Sequence, residues 1–480
     1  MSGEALSSMP IEKVGPMIRD GKVSPVEMVE SALAEITKRN PELNAFLRIV
    51  EEQARREARA AEREISTGRW RGHLHGIPIA VKDNIYLRGV RTTAGSKILQ
   101  DFVPEEDAEV VKCLKRAGAV IVGKTNLHEF AYGVTSENPH YGAVRNPWDT
   151  ERIPGGSSGG SAVAVATGMC CAALGTDTGG SIRIPAALCG VVGFKPAFGQ
   201  VAVEGTVPLA GSLDHVGPLT RTARDARIVY RYIQYDPERD QALEKGKLPQ
   251  FERDWERMAR DGEPEPERRV RIGVPREYFF DRVEEEVKRL VESAVAEMED
   301  LADGIVEIPL PRIAEWDEAS TTIALVEAAE YHAQQGWYPQ RADEYGEDVR
   351  KRLEMGMKVS GVELQRAWQA RKVAREEMMG VLLRDVDVLV APTTPLAAPR
   401  IGEKTVRIAG REEAVRGALI RPNRPANLVG WPAVSVPCGF TESGLPVGMQ
   451  LIGPEAGKVL GLARALEMKR MGNQHKGARV

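Results

Sequence analysis

Three sets of residues in this chain have the types and spacing for acyl-transfer chemistry. Ser157 stands in Gly155-Gly156-Ser157-Ser158-Gly159-Gly160-Ser161, and Ser181 in Gly175-Thr176-Asp177-Thr178-Gly179-Gly180-Ser181-Ile182-Arg183. Glycine lets a main chain approach a ligand with no Cβ in the way. Successive N–H groups in such a turn converge as a nest that can hold an oxyanion. The third is Lys82, which ends the apolar run Ile77-Pro78-Ile79-Ala80-Val81. Lysine, unlike arginine, loses its charge when buried, so a lysine on an apolar strand is a candidate base. A base working near pH 7 needs an ammonium ordinarily near 10.4 brought down by about 3, roughly 4 kcal/mol in favour of the neutral form. Desolvation by Ile79 and Val81 can supply it. The plainer reading of Lys82, a salt bridge to Asp83 or another acid, gives way because two serine loops accompany it.

These loops and Lys82, with Gly123-Lys124-Thr125-Asn126, Asn146-Pro147-Trp148, Ser212-Leu213-Asp214-His215-Val216-Gly217-Pro218 and residues 427–453, resemble the amidase signature family of serine hydrolases. The resemblance covers about residues 23–453. It implies an α/β fold: a single large domain over residues 1–480, with a mixed, twisted central β-sheet covered by helices on both faces. The signature core would occupy about 65–230 and 385–460, and a helical, more variable part about 235–380. It also implies roles. Ser181 is the acylating nucleophile, Ser157 the bridging serine after a cis peptide, and Lys82 the general base acting through Ser157. The N–H groups of Thr178, Gly179, Gly180 and Ser181 form the oxyanion hole, and Ser158, Asp177 and Arg183 support the loops. No metal and no cofactor is implied. Substrate contacts come from variable segments near 131–137, 209–212 and 319–338.

Within the family two functions compete. One is a stand-alone amidase hydrolysing the C–N bond of a small carboxylic amide, aryl amide or carbamate. The other is the A subunit of a glutamine-dependent aminoacyl-tRNA amidotransferase, its glutaminase component. Such subunits usually have glutamine where Ile184 follows Arg183, Arg-Tyr where Val203-Glu204 stands, and an acid near Ile420 for the substrate's ammonium group. These departures favour the stand-alone amidase, with a small-molecule amide as partner and no nucleic acid or membrane. A homodimer would match an assembly common in the family.

Composition agrees with that expectation. Lys+Arg total 65 against Asp+Glu 69, a formal charge of −4, which gives no electrostatic footprint for nucleic acid or anionic lipid. The five cysteines, Cys113, Cys170, Cys171, Cys189 and Cys438, have no metal-binding spacing and point to a reduced, cytoplasmic protein. Glu12, Lys13 and Arg19 sit near the start with no apolar stretch typical of a signal peptide. Two other motifs fail on context. Gly156-Ser157-Ser158-Gly159-Gly160 fits the nucleophile elbow G-x-S-x-G, but residues 146–154 before it read as a loop, not a strand. Gly155 and Gly160 have the P-loop gap, but no lysine precedes Ser161.

The elements that must position these residues follow from periodicity and punctuation. Ser24-Pro25-Val26-Glu27 is a capping box that opens a helix, ended by Asn40-Pro41. Residues 54–65 read as a surface helix. Residues 77–81 read as a strand with Pro78 at an edge or first position, and 107–117 then 119–122 as helix then strand. Residues 126–132 begin a helix. Residues 162–174 form a buried helix broken or ended near Gly168. Strands follow at 191–194, 201–203, 270–274 and 386–390, with a hairpin of 434–436 and 447–452. Helices cover 225 onward, 283–301, 319–331 and 359–383. The charged stretch 236–269 reads as a surface loop. His73, His75 and the pair His128-Glu129 read as structural, and Asp385 and Asp387 as one face of a strand edge.

Overall fold

The computed structural model describes residues 5–261 and 269–477. Among them, eleven strands form one sheet: β1 (Phe46–Ile49), β2 (Pro78–Lys82), β3 (Val120–Thr125), β4 (Ala172–Thr176), β5 (Val192–Lys195), β6 (Val216–Thr220), β7 (Val270–Val274), β8 (Ala302–Glu307), β9 (Val388–Pro392), β10 (Ala433–Phe440) and β11 (Pro446–Ile452). Their order across the sheet is β1-β3-β2-β4-β6-β5-β10-β11-β9-β7-β8. The sheet is mixed: β2 runs parallel to both β3 and β4, whereas β4 and β6 are antiparallel.

Alternation along each strand feeds two cores, one per face. Ile79 and Val81 enter the first and Ala80 the second. Ile121 enters the first and Val120 and Val122 the second. Central strands buried on both faces read as continuous apolar runs, which is why residues 77–81 are legible as a strand. Helix Gly159–Ala166 covers the second face with Ala162 to Val165, and helix Ala223–Ile233 covers the first. This is the expected α/β domain with helices on both faces of a large mixed sheet. The segment 235–380 is not purely helical, since it supplies β7 and β8.

Several local expectations need correction. The capping box at Ser24 is present, but its helix runs Pro25–Leu43, through Asn40-Pro41. The stop is Asn44, which adopts a left-handed conformation at φ 51°. The helix expected to break or end near Gly168 does end there, at Ala166, but the rest of 162–174 is not helical, and β4 begins at Ala172. Residues 126–132 form only a single 3₁₀ turn, because Phe130 and Ala131 both have positive φ, 51° and 56°. Residues 201–203 make one isolated bridge, Val201 to Gln234, and not a strand. The charged stretch 236–269 holds helices Pro237–Glu244 and Gln250–Asp261, with 262–268 outside the described residues. Asp236 caps the first by accepting from the Arg239 N–H, and Phe251 and Trp255 bury the second. Asp385 lies at a helix end, and Asp387 pairs with Arg271 and Lys458 instead of presenting a shared face.

Among the described residues no helix is long and apolar enough to cross a membrane. All five cysteines are free and buried.

Candidate active site

The parallel pairing of β2 and β4 brings the C-terminal ends of both strands to one edge of the sheet. That edge is where open α/β sheets place their ligand sites. Lys82 is the last residue of β2 and follows Ala80 onto the face covered by helix Gly159–Ala166. The loop carrying Ser157 leads into that helix. The loop carrying Ser181 leaves β4 and leads into helix Arg183–Cys189. Close approach of the helix to the sheet depends on glycine: a Cβ on Gly160 would lie 2.4 Å from the Ala45 carbonyl oxygen and 2.5 Å from that of Asn126.

Lys82 is fully buried, and its Nζ donates to Ser157 Oγ and to Thr176 Oγ1, each at 2.7 Å. Burial brings its ammonium down to about 7, against the opposing pull of Asp177 and Asp214. Asp83 is not its partner. That carboxylate turns to Lys124, 3.1 Å away, and accepts from the N–H and hydroxyl of Thr93. The peptide between Gly156 and Ser157 is cis. The two serine loops are tied directly, the Ser158 N–H donating to the Ser181 carbonyl at 3.1 Å. Ser158 Oγ donates to the Thr176 carbonyl at 3.2 Å.

Asp177 is the hub of the Ser181 loop. Its carboxylate accepts from the N–H groups of Gly180 and Ile182, at 2.7 and 3.1 Å, and from Arg183 and Asn427. Burial opposes its charge, but the Arg183 guanidinium and these donors hold it far below the usual carboxylate range. Arg183 in turn reaches Gln450 on β11 and the Asn423 carbonyl. Because the Gly180 N–H is committed to Asp177, it leaves the expected oxyanion set of Thr178, Gly179, Gly180 and Ser181. Gly180 serves conformation instead: its φ is 123°, and a Cβ there would meet Asn423 Cβ at 2.7 Å.

Ser181, Thr178 and Gly179 line a cavity whose other walls are Ala131 to Val134, Leu209, Ser320, Thr321, Ala324, Leu325, Arg352, Met355, Arg416, Ile420 and Arg424. The three variable segments named from the sequence all contribute. The arginines were missed. Arg352 and Arg416 carry no motif, and Arg424 stands out only by its nearness to Ile420. His73 is buried against Glu252 at 2.6 Å, and His128 against Asp348 at 2.8 Å, so both have structural partners. Among the described residues no group of His, Cys, Asp and Glu is arranged to hold a metal ion.

The amidase family model matches residues 27–458. The A subunit of the glutamyl-tRNA(Gln) amidotransferase of Syntrophus aciditrophicus (strain SB) is 39% identical, covering 96% of this chain and 97% of that one. Its namesake from Acaryochloris marina (strain MBIC 11017) is 38% identical over 89% of this chain and 90% of its own length. Among solved structures, one described as an amidase superposes with a TM-score of 0.84 at 36% identity, over 96% of this chain and all of that one.

These relatives overturn the stand-alone reading, the small-amide function built on it and the expectation of no nucleic-acid partner. The structure shows why three local departures misled. Ile184 is buried against Gly155 and Gly180, and neither it nor Val203-Glu204 lines the cavity with Ser181. Neither departure therefore bears on that cavity. Only Ile420 lines the cavity, a single position set against similarity along nearly the whole chain. The near-neutral charge misled because a net total says nothing about how charge is distributed over any one surface.

Proposed function

The chain belongs to the amidase family, and on that footing we propose that it is the A subunit of a glutamyl-tRNA(Gln) amidotransferase, hydrolysing an amide to supply ammonia to partner subunits. The observation that carries this reading is the end-to-end match to proteins of that name, at 39% identity over 96% of the chain. The site supports the chemistry. A neutral Lys82 accepts the Ser157 proton while Ser157 takes the proton of Ser181, whose Oγ attacks the amide carbon. The N–H groups of Thr178, Gly179 and Ser181 hold the oxyanion. Loss of one such donor typically costs about 10²–10³ in kcat. The proton then returns through Ser157 to the leaving nitrogen, ammonia departs, and water opens the acyl-enzyme by the same relay in reverse. Asp177, Arg183 and Ser158 fix the two loops and touch no reacting atom.

The test is ammonia release from glutamine by the purified chain, alone and with its partner subunits and charged tRNA. We expect release that the complex accelerates and that Ser181→Ala abolishes. No release under either condition overturns the reading. The chain is further proposed to fold and act as one domain, which bears on how its partners engage it.

A further inference from the structure

The cavity beside Ser181 is cationic, and its charges do not balance. Arg352 pairs with Asp348 at 2.6 Å, and Arg424 with Asp317 at 2.7 Å. Arg416 lines the same cavity, and among the described residues it has neither a hydrogen bond nor an ion pair. Its Nε is buried and unpartnered, and so is the hydroxyl of Tyr132, another cavity residue. Burial and the crowding of Arg352 and Arg424 bring the Arg416 guanidinium down to about 9. A guanidinium carries a planar fork of donors that matches a carboxylate in two parallel hydrogen bonds. Among the described residues no carboxylate lines the cavity, and Ile420 occupies the wall beside Gly179. An ammonium group bound there would meet an apolar side chain and an excess cation, and would lose its water without a partner.

We propose that Arg416 is a specificity residue: it binds a carboxylate at the acyl end of the substrate, with Tyr132 as second donor, so that the site selects ω-amides of dicarboxylic acids and gains nothing from an α-ammonium group. The inference rests on the reading that Ser181 opens an amide. It goes beyond that reading in naming what the acyl group must carry. Glutamine meets the carboxylate requirement, and its amino group is the part the cavity does not recognise.

The experiment measures binding without turnover. Full-length Ser181→Ala protein is titrated calorimetrically with succinamate, glutaramate, glutamine and neutral pentanamide. The best of the two anionic amides should bind at least tenfold tighter than pentanamide and at least as tightly as glutamine. Adding Arg416→Gln should reduce the preference over pentanamide to about twofold or less, and Arg416→Lys should restore part of it. Ile420→Asp should raise affinity for glutamine relative to glutaramate. Circular dichroism melts establish that each variant is folded; should Arg416→Gln fail to fold, Ile420→Asp and the ligand series on Ser181→Ala alone still decide. Glutamine binding clearly tighter than both anionic amides, or an unchanged preference in folded Arg416→Gln, overturns the proposal. Failure of the glutaminase reading shows separately, as absent ammonia release from glutamine by the wild-type complex.

Discussion

Lys82 and Asp83 are neighbours in sequence and part company in space, and that divergence decides the character of the site. Of three fully buried lysines among the described residues, Lys124 has the Asp83 carboxylate and Lys195 the carbonyls of Trp431 and Pro196, whereas Lys82 has only two hydroxyls. A fully buried lysine whose direct partners are hydroxyls is pushed toward its neutral form by desolvation, against the more distant pull of Asp177 and Asp214. Its folded-state value near 7 lies below the ordinary 10.5, so between those limits the unfolded chain binds a proton that the folded one lacks. Stability from this group therefore rises with pH across that window. Denaturant melts of wild type and Lys82→Met at pH 7 and pH 9.5 should show the variant losing ground to wild type as pH rises, by a few kcal/mol at most on the order set by linkage. A gap independent of pH means that Lys82 is charged when folded. In activity, kcat/KM should rise through one ionisation near 7 to an alkaline plateau, and Lys82→Ala should lose roughly 10²–10⁴-fold with its melt preserved, the usual loss for a removed proton-transfer group. Asp177→Ala is a different case. It leaves the buried Arg183 without its counter-charge, which typically costs about 3–5 kcal/mol, so the melting temperature should fall together with activity.

At the scale of elements, legibility followed burial. β2, β3 and the β10–β11 hairpin were readable because each is an apolar run bounded by turn residues. The Ser24 box was readable because both of its reciprocal hydrogen bonds need fixed residue types. Where tertiary contact decides, the sequence said less. Residues 126–132 have the composition of a helix, yet the Phe130 N–H goes to the Ala94 carbonyl and the backbone turns left-handed beside the cavity. Helix Gln250–Asp261 looks like a solvated charge run until Phe251 and Trp255 are seen against Tyr232 and His73. The serines and Lys82 were legible through their motifs, and the cavity arginines were not, since a charged residue in a surface helix and one turned into a cleft look the same in sequence. Gly160 offers a test of how tightly helix and sheet must meet. Gly160→Ala should destabilise by about 1–3 kcal/mol and lower activity, because the contacted atoms are backbone and cannot move aside. Gly457→Ala, in the open on the C-terminal helix, should be neutral or slightly stabilising by chain entropy. Equal melts for the two would refute close packing at Gly160.

Across the whole molecule, one sheet draws strands from both ends and from the middle of the chain, β1 at one flank and β8 at the other. The proposed single domain should therefore unfold in one calorimetric transition with matching van't Hoff and calorimetric enthalpies; two separated transitions would make 235–380 an independent unit. The proposed bond-breaking groups and the proposed recognition groups are distributed very differently over this frame. Ser157 and Ser181 are 181 − 157 = 24 positions apart, and every residue between them is buried except the partly exposed Ala166 and Thr167. The other walls of the cavity beside Ser181 come instead from five separate stretches, around 132, 209, 320, 352 and 420. For covalent inhibitors the proposed role of Ser181 means that a warhead aimed at it is generic. Discrimination must then come from the tail that reaches Arg416 and Ile420, where one substitution can change which compounds are tolerated while Ser181 stays as it is.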